Sequence, residues 1–313
     1  MFKGYQTNRD ECGRELCKQG RLNDNIIVFD ADVCTSSKLS IFRDAFPGRF
    51  VQAGIAEANM AGMAAGLATI GDFIPVISTF ACFASRRMMD QVSISIAYPR
   101  LNVKIIGAYG GIPTGKAGAT HQAFEDISVM RTIPNMVVLV PCDGPQTRAA
   151  VRAMLKYEGP VYLRTARNQN PVIFAEDCEL EIGKGIMLKE GRDVTVISTG
   201  IRTQTAAEAC LELEKQGISA EHINIHTIKP LDEDMILKSA RKTNKVITIE
   251  NHSVIGGLGS AVSELLSEKY PCRVKRLGIR DHFGESGDDN MLFEKYGIGV
   301  KDIINAVNEF SGR

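Results

Sequence analysis

Short β-branched runs alternate with longer helix-patterned stretches along nearly the whole chain, and they do so in two rounds. The first round contains NIIVFDAD (25–32), FIPVISTF (73–80), NVKIIGAYG (102–110), MVVLVPC (136–142) and PVYLRTAR (160–167). These runs are apolar through most of their length, as strands buried on both faces must be. Helical patterns fill the gaps at roughly 56–69, 84–97, 122–132 and 144–157, the last opening on Asp143 as N-cap with Pro145 in its first turn. A polar, acidic stretch at 174–193 reads as a linker with a short hairpin, after which the rhythm restarts. Strands are expected at 193–200, 223–231, 245–251 and 272–279, and helices at 201–217, 232–243, 258–269, 290–296 and 299–310. Alternation of this kind builds mostly parallel sheets with helices on both faces. The expected fold class is therefore α/β, in two α/β domains over residues 1–172 and 191–313 with a linker at 173–190.

A length of 313 residues accommodates about two such domains. Lysine plus arginine equals aspartate plus glutamate at 37 each, so no net positive field exists to hold nucleic acid or an anionic membrane. No apolar run approaches the ~18 residues of a membrane span. The polar, acid-bearing start MFKGYQTNRDECGRELCKQG is unlike a secretory or transit segment. Eight scattered cysteines, without a CxxC pair or zinc-ligand spacing, fit reduced thiols. These features lead to the expectation of a cytoplasmic protein with no metal site of its own.

In open parallel sheets, ligands collect at the C-terminal ends of the strands. Glu57 in GIAEANMAGMAAG is a single acid among small and apolar residues with no base nearby in sequence. An acid in a first helical turn also simply complements the helix dipole. Phe80 and Phe83 in STFACFASRR can wall a flat aromatic ligand or serve as ordinary core. His121, after the Gly-rich loop GGIPTGKAGAT, suits proton transfer or a local cap. Arg167, following a strand, suits an anion or a surface ion pair.

Taken in order, GIAE (54–57), STFACFASRRMMDQ (78–91), GATHQAFED (118–126), VMRTIPNMVVLVPCD (129–143) and RTARNQNP (164–171) resemble the pyrimidine-binding domain of transketolases. DVTVISTGI (193–201), IKPLD (228–232), IENHSVIGGLGSAV (249–262) and FGESG (283–287) resemble the C-terminal domain of the same family. The diphosphate-binding half of a full transketolase carries a GDG motif, and no GDG occurs here; GDDN at 287–290 has only 23 residues after it. The resemblance thus implies the smaller subunit of a split transketolase. It would transfer a two-carbon ketol unit from a ketose phosphate to an aldose, using thiamine diphosphate shared with a separate diphosphate-binding subunit. That N-terminal partner would hold Mg²⁺ or Ca²⁺, and the assembly would be an α2β2 heterotetramer.

By the same resemblance Glu57 bonds the aminopyrimidine ring nitrogen, Phe83 stacks on that ring with Phe80 behind it, and Asp32 lies near the cofactor. His121 faces the sugar, and Arg9, Ser36 and Arg167 match positions that grip the sugar phosphate. Two positions depart from the family pattern: Ala117 replaces an acid before the THQ turn, and Tyr109 stands where histidine is often found. Both departures imply a sugar preference different from that for the usual pentose phosphates. The β subunit of a 2-oxo-acid dehydrogenase and a non-catalytic regulatory subunit are the alternatives. The THQ turn, Arg167 and the FGESG tail favour transketolase over the first, and the retained Glu57, Phe83 and His121 weigh against the second.

Overall fold

The computed structural model describes residues 2–311. In chain order, β1 (Tyr5–Thr7) and α1 (Asn8–Leu22) lead to β2 (Ile26–Asp30), the short helices α2 (Cys34–Ser37) and α3 (Ser40–Ala45), β3 (Phe50–Gln52) and α4 (Glu57–Ala68). Next come β4 (Ile74–Phe80), α5 (Ala81–Arg86), a π-helical segment (Gln91–Ala97), β5 (Lys104–Ala108) and a 3-10 helix (Gly115–Thr120). They are followed by α6 (Asp126–Thr132), β6 (Val137–Leu139), α7 (Gly144–Lys156), β7 (Val161–Arg164) and β8 (Gln169–Pro171). The remainder is β9 (Ile186–Lys189), β10 (Val194–Ser198), α8 (Arg202–Lys215), β11 (Ala220–Asn224), β12 (Thr227–Lys229), α9 (Glu233–Thr243), β13 (Lys245–Ser253), α10 (Leu258–Lys269), β14 (Arg273–Ile279), α11 (Asp289–Lys295) and α12 (Val300–Ser311).

The strands form two mostly parallel sheets flanked by helices. One sheet has the order β12-β6-β7-β5-β4-β2-β3 and the other β14-β13-β10-β11-β9, while β1 and β8 pair separately. The capping chemistry read from the sequence at 144–157 is present: the Asp143 side chain accepts from Gln146 N at 2.9 Å and Pro145 sits in the first turn. The second Asp143 oxygen accepts the N–H groups of Ile173 and Phe174, fixing the chain where it leaves the first sheet.

Three expected elements differ. The single strand expected at 223–231 is two strands: β11 lies in the second sheet, and β12 crosses to pair antiparallel with β6 at the edge of the first. An edge strand needs partners for its backbone groups, and here the second half of the chain supplies them. In place of a hairpin in 174–193 there is one strand, β9, which covers the edge of β11 in antiparallel register. The helix expected at 84–97 breaks after Arg86 and resumes as the π-helical segment. At the N-terminus, α1 went unread because its pattern is strongly polar, yet Thr7 caps it by accepting from Asp10 N.

Helices α4 and α6 pack on one face of the first sheet. Their apolar cluster runs on without a break through Ile197 and Ile223 of the second sheet to Leu258 and Val262 of α10. At the seam lies a buried ion pair. Arg164 donates to Asp126 through Nε (2.7 Å) and Nη2 (3.1 Å), and the same Nη2 reaches the carbonyls of Ala123 and Asn251. Asp126 also accepts the Tyr162 hydroxyl at 2.7 Å. Asn251, in turn, accepts from Ile112 N, and a Cβ at Gly111 would overlap its amide. Removing one partner of such a pair strands a buried charge. Asp126→Ala is therefore expected to lower stability by about 3–5 kcal/mol, read as a reduced urea midpoint with little change in slope.

Candidate active site

The ends of β2, β4, β5 and β7 open toward one region. Glu57 is the first residue of α4 and only 4% exposed, with no side-chain cap on the helix, so its carboxylate faces the helix's positive end. It is not alone in space: Arg87 Nη1 donates to Glu57 Oε1 at 2.9 Å. That guanidinium lies 3.9 Å from the centre of the Phe83 ring. Phe83 and Phe80 are 5.8 Å apart, and His121 meets both edge-on at 5.4 and 5.7 Å. Glu57, Phe80, Phe83 and His121 thus belong to one cluster, joined at its rim by Arg87. Sequence reading missed Arg87 because 30 residues separate it from Glu57.

His121 ends the 3-10 helix and its Nδ1 is 2.9 Å from Thr120 Oγ1. The turn before it depends on Gly118, whose φ of 70° is costly for other residues and whose added Cβ would meet Ser286 Oγ. Next to His121, Gln122 donates to the carbonyls of Ile112 and Glu285. The FGESG tail of the second sheet's half therefore buttresses the THQ turn of the first. That mutual packing is invisible in either motif alone.

At the other end, Arg9 on α1 donates through Nη1 to the Tyr109 hydroxyl at 2.6 Å and to the Ser36 carbonyl at 3.0 Å. Arg167 approaches the Tyr109 ring from 5.8 Å, and Arg9 itself lies 5.3 Å from it. Tyr109, held at φ 63° and packed on Phe80 at 4.7 Å, has both guanidinium groups within 6 Å of its ring centre. Arg9 Nε is buried without a hydrogen-bond partner, a donor suited to an anion. Arg9, Ser36, Tyr109 and Arg167 therefore come together, though Ser36 contributes its carbonyl to Arg9. Ala117 is exposed on the 3-10 helix.

Asp32 is exposed after β2, where its N–H donates to Gln52 Oε1. The same Gln52 oxygen accepts from Gly54 N, which ties the Asp32 turn to the loop that delivers Glu57. Its neighbour Asp30, not singled out from sequence, is fully buried with Oδ2 unpartnered. Burial pushes its carboxyl up to about 6, against the opposing hydrogen bond from Val33 N.

Comparison with known proteins decides what this arrangement belongs to. The family model of the transketolase pyrimidine-binding domain matches residues 5–172, and that of the transketolase C-terminal domain matches 183–303. The chain belongs to the transketolase family. A 6-deoxy-6-sulfo-D-fructose transketolase subunit from Clostridium sp. (strain MSTE9) is 47% identical over 298 residues, covering 95% of this chain and 92% of that one. An apulose-4-phosphate transketolase subunit from Phocaeicola vulgatus is 38% identical, covering 94% of each chain. A solved structure described as a split gene transketolase, inactive beta4 tetramer, is 48% identical with a TM-score of 0.91 over 97% of both chains.

Transketolases depend on thiamine diphosphate, and the residues present fit its aminopyrimidine. A flat group bearing N–H donors, the Arg87 guanidinium, already lies against the Phe83 face and bonds the buried Glu57 carboxylate. Among the described residues, no three His, Cys, Asp or Glu side chains group as metal ligands, and no helix is long and apolar enough to cross a membrane.

One pH effect follows from Asp30. Its carboxyl ordinarily titrates near 3.8 and here near 6, so between those values the folded chain binds the extra proton. Stability attributable to this group is greatest below that window and falls as pH rises through it. Asp30→Asn should remove the fall, gaining up to about 3 kcal/mol relative to the native chain between pH 4 and pH 7, as measured by urea unfolding at both values.

Proposed function

We propose that this chain is the pyrimidine-binding subunit of a two-component transketolase, active only when a separate diphosphate-binding subunit completes the site. The observation that carries this reading is the buried Glu57 at the head of α4, connected through Arg87 to the Phe83 face and so to Phe80 and His121. The assembly moves a two-carbon ketol unit from a ketose with an anionic terminus to an aldose acceptor. Relatives named for a sulfofructose and for apulose 4-phosphate support an acid-bearing sugar outside the common pentose phosphates.

Bound thiamine diphosphate supplies the carbon nucleophile that carries the two-carbon unit. Glu57 holds a proton at the aminopyrimidine ring nitrogen, and its water-poor setting strengthens that hydrogen bond. Phe83 presents its face to the ring, with Phe80 behind it, and Asp32 borders the cofactor from the end of β2. His121 moves protons at the sugar hydroxyls. Arg9 and Arg167 orient the sugar by its phosphate or sulfonate, with the Ser36 carbonyl fixing Arg9. Tyr109 beside both arginines and Ala117 on the loop shape the rest of the sugar site.

The partner subunit also brings the divalent cation; among the described residues of this chain, no three His, Cys, Asp or Glu side chains group as ligands for one. Apolar side chains of Ile55, Met63, Ile70, Met89, Ile94 and Tyr98 stand exposed on and beside α4 and the π-helical segment, which suits burial between subunits in an α2β2 assembly. The inactive state named for the β-only relative is consistent with a subunit that needs its partner.

Two measurements test this reading. In the co-purified complex, Glu57→Gln should cut turnover by roughly 10²–10⁴-fold with the fold intact; near-normal turnover would sink the assignment. Against a panel of phosphorylated, sulfonated and uncharged ketoses, with pyruvate and branched 2-oxo acids beside them, Arg167→Ala should raise KM for the anionic ketoses by about 10–100-fold. An equal effect on uncharged ketoses would remove Arg167 from the anion end, and turnover of the oxo acids alone would identify a dehydrogenase subunit instead.

A further inference from the structure

Consecutive arginines end α5, and they behave differently. Arg86 pairs with Glu125 and donates to the Gln122 carbonyl, so it is locked onto the THQ turn. Arg87 has a half-exposed side chain, and among the described residues its side-chain partners are Glu57 and the Phe83 ring. Its backbone is the C-cap of α5, in the helical region with its N–H donated to Phe83 O, at the break before the π-helical segment. A side chain rooted there can turn to solvent without disturbing either one.

The Arg87 guanidinium lies on the same two surfaces that Glu57 and Phe83 would offer an aminopyrimidine. A ring stacked on the face of Phe83 that Arg87 covers would need the gap that Arg87 fills at 3.9 Å, and its bond to Glu57 would compete with the one Arg87 makes to Oε1. Both groups cannot be there together. We infer that Arg87 is a displaceable guard of the cofactor half-site, which turns out toward solvent when thiamine diphosphate binds. This inference rests on the assignment of Glu57 and Phe83 to the aminopyrimidine.

The arrangement has a physical rationale. A carboxylate as buried as Glu57 is costly without a charged or hydrogen-bonding partner. Arg87 supplies that partner to the conformation described here, and the cofactor ring replaces it. Whatever the pair and the stack contribute to this conformation is lost on cofactor binding, so the apparent affinity is weakened by that amount. A half-exposed ion pair and a cation–π contact together correspond to about a tenfold effect.

The test is calorimetric titration of thiamine diphosphate, with Mg²⁺ and no sugar, into the complex of this chain with its diphosphate-binding partner. Arg87→Ala and Arg87→Met, the second retaining an apolar stem over Phe83, should each bind the cofactor about tenfold more tightly than the native complex. Unchanged or weaker binding in both variants overturns the guard. Glu57→Gln and Phe83→Ala, titrated in parallel, separate the two ideas, because both should weaken binding if these residues hold the ring. If they weaken it while the Arg87 variants bind no more tightly, only the guard fails. If they leave binding unaltered, the assignment fails and the guard with it. Melting of each variant by circular dichroism confirms that the complexes titrated are folded.

Discussion

Arg164 and Asp126 meet where neither has water to fall back on, and each side of the candidate active site is anchored to that meeting. Arg164 ends β7, three residues before Arg167; Asp126 begins α6, five residues after His121. The guanidinium also takes the carbonyl of Asn251, whose own side chain accepts from Ile112 at the start of the Gly-rich loop. One ion pair therefore sets the distance between the anion-binding end, the histidine turn and the second sheet. Desolvation makes such a pair a weak source of net stability but a demanding one geometrically, since any misplacement leaves a charge stranded. That is the property a site assembled from four strand ends requires.

Around this anchor the charges of the site divide into two kinds. Those with fixed partners, such as Arg86 with Glu125 and Arg164 with Asp126, shape the loops. Those with incomplete or exchangeable partners face the region where a ligand would lie. Arg9 keeps an unpartnered buried Nε, and Arg87 holds Glu57 from a half-exposed position. The difference is one of how each group is held: Arg164 and Asp126 are buried together and Arg86 has a second bond to the Gln122 carbonyl, whereas the half-exposed Arg87 guanidinium can trade its carboxylate for water provided a ligand takes its place on Glu57.

Much of the fold was legible from local pattern. The strands at β2, β4, β5 and β7 show as continuous apolar runs because both of their faces are buried, and Asp143 with Pro145 announces α7 by chemistry confined to one turn. What escaped was whatever depended on partners distant in sequence. The run at 223–231 has strand composition throughout, and nothing local says that its second half leaves one sheet for the edge of the other. The acidic stretch at 174–193 hides β9 because an edge strand needs only one apolar face. Helix α1 is polar enough to read as loop, and its helicity comes from the Thr7 cap and from packing on α7 through Cys12 and Leu16.

For the candidate site, Glu57, Phe80, Phe83, His121 and Arg167 are each ambiguous from local pattern, and it is the order of the motifs that carry them, with its resemblance to the transketolase pyrimidine-binding domain, that makes them candidates. By itself the sequence determined the α/β class and the family, since these follow from periodicity and from motifs whose parts are close together in the chain. Only the tertiary structure decided that Glu57 has a charged neighbour, that Tyr109 meets two arginines, and that the tail at 283–287 braces the THQ turn. Each of those joins segments dozens to more than a hundred residues apart. Packing sets which side chains meet across such distances, and local pattern carries no record of it.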